Sequence, residues 1–253
     1  MAQLPLALRL ESHAVLETFV EGANAAGLAH AKALASGESG GAVWLCGPRG
    51  SGKSHVLQAA CRTAGAAGRR AMYLPLGAPD VEPGLLAGLD ALDVLALDDV
   101  PRAAGSPAWE AELFRALNEF QSRERALLMA GEAAPAAAGF ALPDLASRAA
   151  GAAVYRLQPL ADADLVEALH RHARHRGLWL DAAAARFLQS RLPREMGALV
   201  AWIERLDAAS LAAQRRLTLP FVREILGRSA SAPARQDEEQ GELEERGEQH
   251  EAD

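Results

Sequence analysis

Aromatic residues make up only 5% of the 253, and there are just two cysteines, Cys46 and Cys61. Two thiols in apolar surroundings, without metal-ligand spacing, exclude a disulfide scaffold or zinc module and predict reduced, buried side chains. No stretch approaches the roughly 20 apolar residues of a membrane helix. The start lacks the basic segment of a secretory signal, and Pro5 and Arg9 break its short apolar run, so a cytoplasmic protein with no membrane partner is expected. The scarcity of aromatics and the abundance of alanine favour helices over a large antiparallel sheet.

The charge of −7 is concentrated at one end. Residues 236–253, "QDEEQGELEERGEQHEAD", carry nine acids against one base, Arg246, which leaves the preceding 235 residues at +1. A nearly neutral body argues against a broad nucleic-acid surface. The tail, with Leu243 its only sizeable apolar residue, is expected to be disordered over 229–253.

Short apolar runs alternate with helical patterns through the first 160 residues. "VLETFVEGANAAGLAHAKALA" reads as a helix and "AVWLC" as a strand, and a glycine-rich turn leads into "KSHVLQAACRTAGAAG". "RAMYLPL", "ALDVLALDDV", "ALLMAG" and "AAVYRLQPL" supply four more strands. Between them "SPAWEAELFRALNEFQSRE" reads as a helix capped by Ser106, with Trp109, Leu113, Leu117 and Phe120 on one face. This alternation predicts an α/β fold: a five-stranded parallel sheet with helices on both faces, spanning 13–160. The strands then stop. Four helical patterns follow over 161–228, one with Met196, Leu199, Val200, Ile203 and Leu206 as an apolar stripe.

"GPRGSGKS", Gly47 to Ser54, fits G-x-x-x-x-G-K-[ST] between a predicted strand and a predicted helix. Gly47, Gly50 and Gly52 let backbone N–H groups wrap a phosphate at a helix N-terminus, Lys53 brings a cation to the β/γ-phosphates, and Ser54 can ligate Mg²⁺. The strand "VLALDD" ends in Asp98, placed to hold Mg²⁺ through water, and Asp99, placed to orient an attacking water. Binding of ADP or ATP with Mg²⁺ is therefore expected. Hydrolysis is expected to be weak, because Asp reaches less far than Glu. The histidines of "HRHARHR" (170–176) fall at i, i+2 and i+5, which do not share one helix face. They predict a solvated helix end rather than a metal site.

A P-loop α/β part followed by a helical lid resembles the AAA+ ATPases. "LPDLASR" (142–148) is similar to the arginine-finger segment of DnaA-type replication initiators, and "PREMGAL" (193–199) to their sensor 2 segment. With "YRLQPL", "LDAASLAAQRRLTLPFVREIL" and "QLPLAL", the likeness is closest to the Hda family of DnaA-related regulatory inactivators and covers about residues 3–228. It implies an arginine finger at Arg148, and Arg194 placed over the protein's own nucleotide. The partners it implies are DnaA, the replicative sliding clamp and, through the clamp, DNA; a homo-oligomer is also open. No DNA-binding domain is expected after the lid. The segment Gln3-Leu4-Pro5-Leu6-Ala7-Leu8, within an extended stretch 1–12, is similar to clamp-docking peptides. Gln3 would satisfy hydrogen bonds at a pocket rim, Leu4 belongs to the same clamp-binding set, and Leu6 and Leu8 would enter an apolar groove, each of these two contributing about 1.5–3 kcal/mol before ordering costs. "MAGEAAP" (129–135) departs from the family's sensor 1, with Ala130 and Glu132 at its polar positions. That departure weakens the expectation of hydrolysis in cis. The rival expectation is an autonomous AAA+ ATPase loading a helicase onto single-stranded DNA.

Overall fold

The structure, a computed structural model, describes residue 10, residues 14–192 and residues 196–230. Strands β1 (Gly41–Cys46), β2 (Ala71–Pro75), β3 (Val94–Asp98), β4 (Ala126–Gly131) and β5 (Ala153–Arg156) form one all-parallel sheet in the order β2-β3-β4-β1-β5. Every residue of β3 and β4 is buried. Both faces of these strands are covered, and so their sequences are unbroken apolar runs rather than alternations. β5 lies at an edge, and its Val154 is exposed.

Successive residues of a strand point to opposite faces, which divides the core in two. On one side Trp44, Leu95, Leu97, Leu127 and Met129 meet Leu113, Leu117 and Phe120 of α3 (Pro107–Ser122) and Leu145 and Ala149 of α4 (Pro143–Ala150). On the other, Val43, Leu45, Ala96, Leu128 and Ala130 meet Leu28, Ala31 and Leu34 of α1 (Ala25–Ser36) and Val56, Leu57 and Ala60 of α2 (Lys53–Ala66). Cys46 and Cys61 are free and buried, and burial pushes the Cys61 thiol up to about 12. Helices α5 (Asp162–His175), α6 (Ala182–Arg191), α7 (Met196–Ala213) and α8 (Leu219–Ala230) enclose a third core, which includes Leu199, Ile203 and Leu206 of the apolar stripe.

Two local expectations are corrected. The helix read over 15–35 begins only at Ala25; 15–24 is an irregular segment with two single 3-10 turns. Gly22 takes φ +45°, and Asn24 is drawn out of the helix by a two-way bond: its Nδ2 donates to the Gln158 carbonyl (2.9 Å) while its Oδ1 accepts from the Gln158 N–H (2.8 Å). Ser106 occupies the N-cap of α3 but makes no side-chain cap. The buried Glu110 accepts instead from the Gly105 N–H at 2.7 Å.

Candidate functional site: a phosphate cradle beneath the lid

β1 ends at Cys46 and α2 begins at Lys53, with the glycine-rich turn between them. At Gly47 a Cβ would lie 2.4 Å from the Leu157 carbonyl oxygen; at Gly52, with φ +92°, it would lie 2.9 Å from the Phe19 ring. Neither position accepts a side chain. Gly52 is the N-cap of α2 and supplies no capping side chain, so the first N–H groups of the helix stay available for an anion. Lys53 is buried, and its Nζ donates to the carbonyls of Gly47 and Pro48, both at 2.9 Å. One of its three donors is left for a ligand. The buried Ser51 hydroxyl has no partner, a further polar atom unsatisfied within the cradle.

The turn opens into a cavity of about 980 Å³. Gly50, Gly52, Lys53, Ser54 and Asp99 line it together, with Arg49, Arg102 and Glu132 among the other charged groups and Leu160, Ala168, His172 and Val200 from the lid side. Three cations therefore face two carboxylates, an excess suited to a polyanion such as a nucleotide phosphate chain. Asp98, which precedes Asp99, is held beneath this surface. It is 3% exposed, and its carboxylate accepts from the Tyr73 hydroxyl (2.8 Å) and the Asp99 N–H (3.0 Å). Asp99 adopts φ 53° and reaches the cavity. Burial raises its pKa above the usual carboxylate value and the charge of Asp98 adds to that, while Lys53 and Arg102 oppose. Glu132 is presented from the end of β4, where the buried Trp44 indole N–H donates to the next residue's carbonyl, Ala133 O, at 2.9 Å.

The irregular segment 15–24 closes one side of the cavity. Thr18, Phe19 and Val20 line it, Phe19 packs on His55 of α2, and Arg171 of α5 donates to the Phe19 carbonyl at 2.7 Å. The "HRHARHR" reading is corrected here. His172 is 3% exposed and sits edge-on to the His55 ring, centroids 5.7 Å apart, so lid and phosphate helix touch through two histidines. Among the described residues no three His, Cys, Asp or Glu side chains cluster as metal ligands would.

Arg148 does not join this site. It lies in the last turn of α4 and lines a separate groove of about 890 Å³ with Gly40, Gly41, Ala42 and Asp144. That groove is at the start of β1 and the cradle is at its end, roughly 17 Å apart along the strand at about 3.3 Å per residue. Arg148 is exposed and makes no ion pair among the described residues, not even with Asp144 four residues earlier; its carbonyl accepts from the Gly151 N–H and from Gln121. Arg194, Gln3, Leu4, Leu6 and Leu8 lie outside the described residues.

A parallel sheet in this order, a glycine-rich cradle at the end of β1 and a helical lid over the cavity define a P-loop module of the AAA+ class. The chain is similar to domain III of the replication initiation protein DnaA from Thermotoga maritima: TM-score 0.71, 18% identity, 87% of this chain and 98% of that one. AMPPCP-bound DnaA from Aquifex aeolicus matches at TM-score 0.63 and 22% identity over 78% of this chain; the match spans 65% of that protein. The Thermotoga maritima RuvB Holliday junction branch migration motor matches at TM-score 0.58 and 20% identity, over 83% and 70% of the two chains. Residues 162–226 match the family model described as Hda, lid domain. The chain therefore has the fold of DnaA domain III, and its lid region, residues 162–226, is similar to the Hda lid domain.

Proposed function

We propose that this protein is a regulatory adaptor that stimulates ATP hydrolysis by the replication initiator DnaA while tethered to the sliding clamp. Arg148 carries the reading. A guanidinium that is exposed, makes no ion pair among the described residues and sits on α4 about a strand's length from its own cradle is of no use to the nucleotide in cis and is available to one held by a neighbour. At the γ-phosphate of DnaA-bound ATP it would stabilise the charge that develops in the transition state. The chain's own nucleotide, ADP or ATP, would then be structural. Ser54 and Asp98 would hold Mg²⁺ with it, Asp98 through water, and Arg194 would reach it from the lid. Support comes from the DnaA-like fold and from the Hda-type lid.

Lys53→Ala is expected to weaken ADP binding by about 10–150-fold, the equivalent of 1.5–3 kcal/mol for a charged donor. Calorimetric titration with ADP measures this, and unchanged affinity would remove Lys53 from the phosphate site. Docking on the clamp would use Gln3, Leu4, Leu6 and Leu8. The described chain nearest them, Leu10, packs on the α1/α2 core, and its carbonyl accepts from Arg62 of α2 at 3.0 Å, which fixes the peptide's point of departure. Leu6→Ala with Leu8→Ala is expected to abolish co-sedimentation with DNA-loaded clamp while thermal unfolding stays unchanged; retained co-sedimentation would discard the docking peptide. The deciding experiment is hydrolysis of DnaA-bound ATP with and without DNA-loaded clamp. Stimulation that requires the clamp is expected, with near-background turnover by the purified chain alone. Vigorous turnover by the chain alone on single-stranded DNA would favour the helicase-loading rival.

A further inference from the structure

The lid pairs its charges unevenly. On α5 and α7, Arg171 and Arg174 meet Glu167, and Arg176 meets Glu204 and Asp207. The face shared by α6 and α8 differs. Helix α6 contains no acid, and the only acid of α8, Glu224, is engaged by Arg215 at 3.0 Å. Arg186, Arg191 and Arg223 are exposed and make no ion pair among the described residues. Arg191 and Arg223 stack on the same ring, Phe187, with guanidinium carbons 5.6 Å and 5.2 Å from its centroid. Stacking restrains both side chains while leaving their N–H edges free, a preorganised pair of forks for carboxylates.

We propose that this Arg191–Phe187–Arg223 face is the docking site of the chain's own acidic segment 236–253. Charge and reach both support that occupant. The segment carries nine acids and one base, and it follows directly from α8. From Ala230 to the first of these acids, Asp237, is seven residues, which span at most about 25 Å when extended. Arg223 lies seven residues back from Ala230 along α8, roughly 10 Å. The acidic run can therefore fold back onto the face, and covalent attachment holds it there at an effective concentration in the millimolar range. Individually weak, exposed contacts become a salt-sensitive clasp. The clasp occupies this cationic face of the lid, so other polyanions reach the face only by displacing the tail. The proposal is independent of the role given to Arg148.

The test uses the full chain with Ala252→Cys carrying a nitroxide label; both native thiols are buried, so labelling is selective. Amide signals of α6 and α8 are expected to lose more than half their intensity at about 0.15 M salt and to recover at about 1 M, where the screening length falls to roughly 3 Å. They are also expected to recover in Arg191→Glu/Arg223→Glu. In the event that this pair unfolds the lid, neutralising the tail (Glu238, Glu239, Glu242, Glu244 and Glu245 to Gln) must shift the same amides in the unlabelled chain. Broadening that is absent, or unaltered by salt and by either set of substitutions, overturns the proposal. So do α6 and α8 signals that respond to a single-stranded oligonucleotide but not to tail neutralisation, which would assign the face to nucleic acid.

Discussion

Arg148→Ala is expected to return the DnaA-bound ATP to its intrinsic rate of hydrolysis, a fall of about 10³–10⁵ from the stimulated rate where an arginine finger completes the site. The size of the effect follows from timing. A guanidinium that meets the γ-phosphate oxygens as charge builds on them stabilises the transition state more than the ground state, so its loss appears in the rate and hardly in affinity. The structure supplies the controls. Arg148 is exposed, makes no ion pair among the described residues and is not one of the buried residues of α4, so truncation to Ala leaves the stability of α4 nearly untouched. It lies away from the cradle, so ADP affinity should match the parent protein. Arg148→Lys should rescue little, because an ammonium cannot bridge two oxygens in a fixed fork. The measurement is single-turnover hydrolysis of radiolabelled ATP preloaded on DnaA, with clamp and DNA present. Undiminished stimulation by Arg148→Ala would assign the finger elsewhere and take the proposed function with it.

Much of this arrangement is legible in the sequence because its determinants are local. The P-loop is a matter of spacing within eight residues, and Gly47, Gly52, Lys53 and Ser54 stand where the pattern puts them. β3 and β4 could be read from apolar runs because strands covered on both faces have no polar side to show. The lid stripe follows a 3.6-residue period, and Leu199, Ile203 and Leu206 are buried as a stripe requires. The remainder depends on distant partners. The segment 15–24 has a helical pattern, but Asn24 bonds a residue 134 positions away. That contact delays the start of the helix to Ala25, and the irregular segment before it puts Phe19 on the cavity wall. His172 looked solvated in a basic run, and only the packing of α5 against α2 shows that it faces His55. Spacing alone would equally allow Arg148 to pair with Asp144. Phe19 could have been suspected from sequence as a bulky apolar residue shortly before the P-loop strand, whereas Arg171 and Glu132 offered no local signal.

The second large effect belongs to Glu110, a residue no motif marks. Its carboxylate is 3% exposed and accepts three backbone N–H groups, from Gly105 (2.7 Å), Ala141 (2.9 Å) and Leu142 (2.6 Å). One side chain on α3 thus ties the loop that follows the Asp99 turn to the chain entering α4, the helix that carries Arg148. Burial alone would raise its pKa, but the three donors outweigh that and hold it below the ordinary 4.5. Glu110→Ala leaves the donors without an acceptor and should destabilise the α/β part by about 3–5 kcal/mol, close to the cost of breaking a buried charged network. Glu110→Gln keeps one acceptor oxygen and should cost about 1–3 kcal/mol. The pH dependence fixes the cause. A carboxyl group whose folded pKa is depressed contributes its full stabilisation above the unfolded value and loses it as pH falls through the folded one. The gap between the parent protein and Glu110→Gln should therefore be constant from neutral pH down to about 4.5 and shrink below it. Urea unfolding at a series of pH values measures this. A gap independent of pH would mean that Glu110 acts by packing rather than by charge. Hydrogen exchange on Glu110→Gln should then locate the damage: faster exchange confined to the amides of 141–150 would show that the buried carboxylate holds α4 in place, whereas acceleration spread evenly over the sheet would reduce it to a general support of the core.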